Sequence, residues 1–501
     1  MNRRDFLGLA VVTAIPSPAQ TTVHPGAPSP EAFFNGLMRD RGLQLEGEDF
    51  CWHAAYSLHG FVQGYEVWRD TAWLDQGLRY YDFLLSKLRT GPDGYLGWIG
   101  PYEYDNSVWC DVHVGDAILF NGLVGFSELV LADPSLRVRY AEMAHRYVDL
   151  ARKHLFEKWD SRGTWFEDGP YGAYRSWNRY GDPANLTKAW PSRDEIRNSM
   201  LALPFNKQDD IGAVALKLYR ITGEQRFRDR AERIFAYHKS RLNLVADGDG
   251  EHYVWNYWEP YGTADLDLPG HKCRHWVGTH PERPYQQGEV ANIVDAYHTG
   301  VVFDETDIRR ILNTNLKVMW NGSLEAPAFR NSNATFPGVA ANPKSTAGVL
   351  WSSLADFDET IRKIQAARLA QARGSDRAIE RAYFEKVTLQ RPPGFERRKL
   401  KGPAKVFDYP MNPGPGLIMA AALPSAFSAK EGTLLACESL TKGAMEIAQY
   451  SADGKRKLAT LRQTDQQWFL FHRWTGMTPG SYRIRWSFEG GGYREAPVTC
   501  T

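Results

Sequence analysis

The sequence predicts a mainly α protein, a body of helical hairpins followed by a small antiparallel β domain. Three observations carry this. Between about residues 50 and 385, apolar residues recur at helical spacing. The helical stretches come in pairs, each pair broken by a short polar turn and restarted by one large apolar residue. Near residue 390 the composition turns to proline and glycine, then to short alternating runs.

Taken in order, residues 1–19 come first. Arg3 and Arg4 stand side by side, a mainly apolar run extends through Ile15, and Ser17-Pro18-Ala19 offers small residues before Gln20. A charged start, an apolar segment of about 10 residues and a small-residue exit describe a removable signal; a bilayer-spanning helix needs ~20. The stretch Arg3-Arg4-Asp5-Phe6-Leu7 resembles bacterial twin-arginine signals, which implies export of the folded chain to the periplasm or beyond. No later segment reads as long and apolar enough to span a membrane, so no membrane insertion is expected.

Residues 20–388 form the expected helical body. Leu58, Phe61, Val62, Tyr65 and Trp68 keep helical spacing, and after Asp70-Thr71 so do Leu74, Leu78, Tyr81, Leu84 and Leu85. Ile211, Val214, Ala215, Leu218 and Ile221 form a third stripe, stopped by Thr222-Gly223-Glu224 as a glycine stops a helix. Phe227, Ala231, Ile234, Phe235 and His238 form a fourth. Leu131 to Leu136 and Tyr297 to Ile308 repeat the hairpin layout, which suggests helical repeats that stack or close on themselves. The intervals between hairpins read as long loops rich in Tyr, Trp, Gly and Pro. Residues 389–501 form the expected β domain, with runs at 446–450, 468–472 and 482–486 separated by turns at Asp453-Gly454 and Pro479-Gly480.

Bulk composition narrows the function. A net charge of +1 gives no broad basic surface for nucleic acid. Aromatic residues make up 13% of the chain, including 17 Trp, which suits either a sugar-stacking cleft or a heavy core. None of the five cysteines falls in a Cys-x-x-Cys pattern, and Cys437 and Cys500, close in the C-terminal segment, are candidates for a disulfide.

Leu203-Pro204-Phe205-Asn206-Lys207-Gln208, with Leu218-Tyr219-Arg220-Ile221-Thr222-Gly223-Glu224, resembles the hairpins of (α/α)6-toroid proteins. The tract from His252 to Trp258 is similar to a cleft-lining loop of that fold. The fold gathers polysaccharide lyases, unsaturated glucuronyl hydrolases and other glycan enzymes. The resemblance covers roughly residues 50–385 and implies a polysaccharide or oligosaccharide substrate and no organic cofactor.

The chemistry concentrates between Glu251 and Glu289, which hold four of the 13 histidines and three tryptophans. A lyase acting on a uronic acid needs a base, a charge stabiliser and an acid; a hydrolase needs two carboxyl groups across the sugar. His280 as base and Tyr285 as acid suit the first. Asp210 with Glu259 or Glu282 suits the second. His113, two residues from Asp111, is a further candidate for the cleft. Tyr253, Trp255 and Trp258 are candidate sugar-stacking residues, and Arg175, Arg179 and Arg330 candidate partners for a uronate carboxylate. His271, Cys273 and His275 match no standard zinc spacing, so no metal is expected. The favoured expectation is an exported enzyme cleaving an acidic glycan by β-elimination, with a carboxylate hydrolase and a noncatalytic glycan-binding protein as the alternatives.

Overall fold

A computed structural model describes residues 28–501 apart from 103–104, 176–177, 181–185, 187–199, 248–249, 271, 276, 279–283, 333–347, 373–374, 397–416 and 490–491. The export segment, His280 and Glu282 lie outside the described residues.

Helices follow their caps. Helix α1 (Pro30–Leu37) begins where Ser29 Oγ accepts the Ala32 amide at 3.1 Å and Pro30 presets φ. Next come α2 (Gly47–Ala55), α3 (Gly60–Trp68) and α4 (Ala72–Ser86). Helix α5 (His113–Ala132) turns at Asp133, whose carboxylate accepts the Ser135 amide at 2.8 Å, into α6 (Pro134–Ala151). Helix α7 (Phe205–Thr222) stops at Gly223, which takes the left-handed φ of 72° that glycine tolerates, and α8 (Gln225–Ser240) follows. Helices α9 (Tyr285–His298) and α10 (Glu305–Asn313) follow, α10 packing on the Gly250–Val254 strand, then α11 (Glu359–Gln371) and α12 (Ser375–Tyr383).

Helix α2 packs on α5, α5 on α7 and α7 on α9, while α6 backs α5 and α8 backs α7. Helix α5, at the centre of this row, is apolar almost all round. Helix α5 has 20 residues and is long and apolar enough to cross a membrane, contrary to the sequence expectation, but 72% of its apolar window is buried inside the protein. Leu74, Tyr81, Ile211 and Val214 are buried, which makes the expected stripes core faces. The intervals expected as loops contain short antiparallel pairs, Trp165–Asp168 with Tyr171–Tyr174 and Asn243–Asp247 with Gly250–Val254. Each is too short for its alternation to stand out from the aromatic background.

The C-terminal strands are β1 (Leu417–Leu423), β2 (Ala426–Phe427), β3 (Thr433–Ser451), β4 (Lys457–Trp474), β5 (Gly480–Phe488) and β6 (Gly492–Cys500). They form one sheet, antiparallel except where β2 runs parallel to β6. One edge of β3 is taken by β4; the other is shared by β1 and β5 in succession. Cys437 and Cys500 are both buried and both free, so the candidate disulfide is not formed. The Cys437 sulfur instead lies 3.8 Å from Met445 Sδ.

The sheet is held against the helical body by polar and apolar contacts. Asp168 accepts the Ser425 and Ala426 amides at 2.6 and 3.0 Å, and Arg494 Nη2 donates to the Ser240 carbonyl at 3.0 Å. Leu266 joins Ala421, Leu423, Leu434, Ala436 and Phe469 in a shared apolar cluster.

A buried ion cluster ties the helical body together. Lys158 is 0% exposed and sits between Asp111 Oδ2 at 3.0 Å and Asp116 Oδ2 at 2.6 Å. Its ammonium also donates to the Leu96 carbonyl at 3.0 Å. Arg162 Nη1 reaches Asp111 at 2.8 Å and its Nε reaches Asp93 at 2.6 Å. Removing one member leaves its partners charged in a dry site. The Lys158→Met variant should lose about 3–5 kcal/mol in urea unfolding; a loss below about 1 kcal/mol would mean that the aspartates find compensation without the lysine.

Candidate active site

Cross-helix contacts among α2, α5, α7 and α9 gather polar side chains along one side of the row, which we treat as a recess. On α5 the partly open residues Asn121, Gly125 and Glu128 follow helical spacing; on α7 they are Lys207, Asp210 and Lys217. On α9 Tyr285, Gly288 and Asp295 are open or partly open with Asn292 buried beside them, and on α2 Trp52 is partly open and Glu48 buried. Lys207 Nζ crosses from α7 to Glu48 Oε1 at 2.8 Å, which links two helices on either side of α5 and makes the row concave. Trp52 Nε1 donates to the same Glu48 oxygen at 3.3 Å. Tyr257 reaches this mouth because its carbonyl accepts the Phe205 amide at the start of α7 at 3.1 Å. Its ring stacks on Tyr285 at 5.2 Å.

Asp210 stands one turn into α7, where Asn292 Nδ2 donates to its Oδ1 at 3.1 Å. Burial pushes its carboxyl up to about 7; the charge of Asp209 adds to this, while Asn292, Lys217 and Lys207 oppose it. Behind it lies a second layer of acids. Asp209 Oδ2 is 2.8 Å from His238 Nδ1, and burial raises Asp209 well above the usual carboxylate range. Burial also drives His238 down to about 4, so the imidazole is neutral at ordinary pH. Glu289 Oε2 accepts Trp255 Nε1 at 2.7 Å, and burial, reinforced by Asp209 and Asp210, lifts its carboxyl to about 8. Neither Asp209 Oδ1 nor Glu289 Oε1 has a hydrogen-bond partner among the described residues. The arrangement offers one proton-carrying carboxyl open to the recess and a reserve of neutral acids beneath it.

Asp210 and Tyr285 stand on neighbouring helices α7 and α9, and most other candidates lie in the core or elsewhere. His113 is not in the recess: it is buried, stacked on Trp159 at 3.6 Å, with Nε2 3.1 Å from Thr164 Oγ1. Burial holds it well below its usual range. Glu259 is fully buried at the seam with the β sheet, where Asn256 donates to it at 2.9 Å. Burial lifts its carboxyl to about 7 against the pull of Arg494 and Arg241. It therefore forms no pair with Asp210 across a sugar. Tyr253 is core, its hydroxyl donating to Asp307 at 2.9 Å. Trp255 is 0% exposed and supports Glu289, and Trp258 is also buried. Arg175 is buried over the Phe166 and Tyr261 rings and donates to the Met200 carbonyl at 2.9 Å. Arg330 is exposed, with Nε donating to the Val318 carbonyl at 2.5 Å. His280 and Glu282 lie outside the described residues, as does the Arg179 side chain.

The residues missed in the sequence are Glu48, Trp52, Asn121, Lys217, Gly288 and Asn292. Asn121 and Lys217 carried a signal: each is a polar residue interrupting an otherwise apolar helix.

The Glu289 shift has a sign that can be measured. Folded Glu289 keeps its proton up to about pH 8, whereas an unfolded glutamate loses it near about pH 4.3. The unfolded chain binds fewer protons between these values, so stability falls as pH rises through that window. Glu289→Gln can still accept from Trp255 and has no proton to hold. Its melting temperature should fall less than that of the parent between about pH 5 and about pH 9; an equal fall would show that Glu289 does not titrate there.

No family model matches the chain, and no curated protein matches it. Among solved structures it is similar to a glycoside hydrolase family 76 mannosidase from Bacteroides thetaiotaomicron, at 10% identity and a TM-score of 0.35, covering 68% of this chain and 69% of that one. It is similar to an inactive variant of an alpha-1,6-mannanase from Salegentibacter sp. in complex with alpha-1,6-mannotetrose, at 13% identity and a TM-score of 0.38, covering 72% and 99%. A cellobiose 2-epimerase from Bacillus thermoamylovorans is similar at 13% identity and a TM-score of 0.31, covering 66% and 74%.

Proposed function

We propose that this chain is an exported glycan-cleaving enzyme of the hydrolase type, with its inner helices closing as an (α/α)6 toroid around the recess. The observation that carries the reading is Asp210, a carboxyl lifted to about 7 yet open to a recess rimmed by Trp52, Tyr257 and Tyr285. Such a group holds a proton near neutral pH and can deliver it to the glycosidic oxygen as the bond to the anomeric carbon breaks. Water then adds to that carbon, and its proton goes to a carboxylate on the other side of the sugar. Glu48, fixed by Lys207 and Trp52 across the recess, is the described carboxylate suited to that role. The stacked tyrosines and Trp52 would hold the sugar rings against the carboxyl.

Incubation with acidic and neutral polysaccharides should raise reducing ends without the ultraviolet absorbance of an unsaturated uronate. Asp210→Asn should lower kcat at least about 100-fold, and activity should fall as pH rises through about 7, where Asp210 loses its proton. Absorbance rising with the reducing ends would replace hydrolysis by β-elimination, with Tyr285 as the acid to test. Silence on every substrate in folded protein would leave a glycan-binding protein. Export is tested separately: Arg3→Lys with Arg4→Lys should hold the chain in the cytoplasm on cell fractionation, and unchanged export would sink the twin-arginine route.

A further inference from the structure

Helix α2 turns a second face to a cavity. Glu48 and Trp52 belong to the recess, and Phe50, two residues from each, lies on the opposite side of the helix. There, the start of α2, the end of α4 and the segments beside the strand pair Arg89–Thr90 and Leu96–Gly97 enclose about 170 Å³. An engineered apolar cavity of about 150 Å³ takes a benzene molecule, so this one has room for a single six-membered ring.

The lining divides into an apolar body and one charge. Phe50, Trp98 and Ile99 are buried, with Leu88 and the exposed Leu45 further out. Trp98 commits its one donor, Nε1, to the Leu84 carbonyl at 2.9 Å, so the rest of its ring is apolar surface. Ser86 Oγ donates to the Phe83 carbonyl at 2.6 Å. Arg89 lies over the Trp109 ring at 4.7 Å and is paired with Glu46, so those two charges answer each other. Lys87 differs from them. Its ammonium stands 5.8 Å from the Phe50 ring and 5.7 Å from the Phe83 ring, within reach of both π faces, and it pairs with no carboxylate among the described residues. A lysine at the C-terminal end of α4 suits the helix dipole. That accounts for a charge at this position, not for the ring-sized cavity that the lysine lines.

We propose that this cavity is a second binding site, for a single-ring aromatic carboxylate. The ring enters among Phe50, Trp98 and Ile99, and the carboxylate pairs with Lys87. A sugar suits the lining poorly, because its several hydroxyls would meet apolar surface and polar groups that are already engaged. The cavity is separate from the recess, so the site stands whether or not the chain cleaves glycans.

Calorimetric titration of the whole chain with benzoate tests this without relying on turnover. Benzoate should bind at one site per chain, with an affinity that falls as salt rises. Benzyl alcohol, the same ring without the charge, should bind about tenfold or more weaker, and acetate, the charge without the ring, should not bind. Lys87→Met, a change at a partly exposed position, should weaken benzoate about tenfold or more. In crystals soaked with 4-bromobenzoate, the anomalous signal of bromine should lie beside Phe50 and Trp98. Absence of benzoate binding, equal binding of benzoate and benzyl alcohol, or undiminished benzoate binding in Lys87→Met folded by circular dichroism overturns the site. A bromine signal found only elsewhere overturns it as well. Glucuronate that binds more tightly than benzoate, and loses its binding in Lys87→Met, would overturn the aromatic assignment in favour of a sugar acid.

Discussion

The burial of Lys158 is the constraint on which the helical body depends. A lysine with no exposure is tolerable only because two aspartates and a carbonyl surround it, and each comes from a different part of the chain. Asp111 ends a strand, Asp116 opens α5, and Leu96 belongs to the segment between α4 and that strand. Arg162 then extends the cluster to Asp93. The start of α5 is fixed by ions rather than by a side-chain cap, and α7 packs on a helix that cannot shift along its axis. His113 belongs to this arrangement as the ring that covers Trp159.

From that anchor the recess follows. An apolar helix placed in the middle of a row buries most of its faces, and the inner helices carry their polar contacts both on the open side and in a buried layer beneath it. Asn121, Lys217, Asp210 and Asn292 contact one another in pairs. Proximity to the core also explains the protonation pattern. Burial raises Asp209, Asp210 and Glu289 alike; Asp209 adds to the shift of Asp210, and both aspartates add to that of Glu289. His238 stays neutral for the same want of water.

The β sheet shares a buried seam with the helical body. Glu259, Glu438 and Arg494 meet there, with Cys273 Sγ 3.9 Å from Glu438 Oε2. Burial lifts both carboxyls to about 7, Glu438 with a further push from Glu259. A glutamate that reads in sequence as one of a catalytic pair is thus a seam residue, because Glu438 and Arg494 reach it from the distant C-terminal sheet.

The sequence by itself determined the local structure. Apolar spacing marked α3, α4, α7 and α8 because a helix repeats every 3.6 residues wherever it sits, and Gly223 marked the end of α7 because few other residues adopt a left-handed φ cheaply. Alternation marked the cores of β3, β4 and β5 for the equivalent reason. Asp210 and Tyr285 were legible as polar residues at helix starts. Only the tertiary structure decided which aromatic and charged residues reach solvent. Tyr253, Trp255, Trp258, Arg175 and His113 have the composition of a sugar cleft and the burial of a core, and burial depends on what packs against a side chain from distant parts of the chain. Lys217 and Glu48 are unremarkable in sequence for the same reason: their meaning lies in the helices they face.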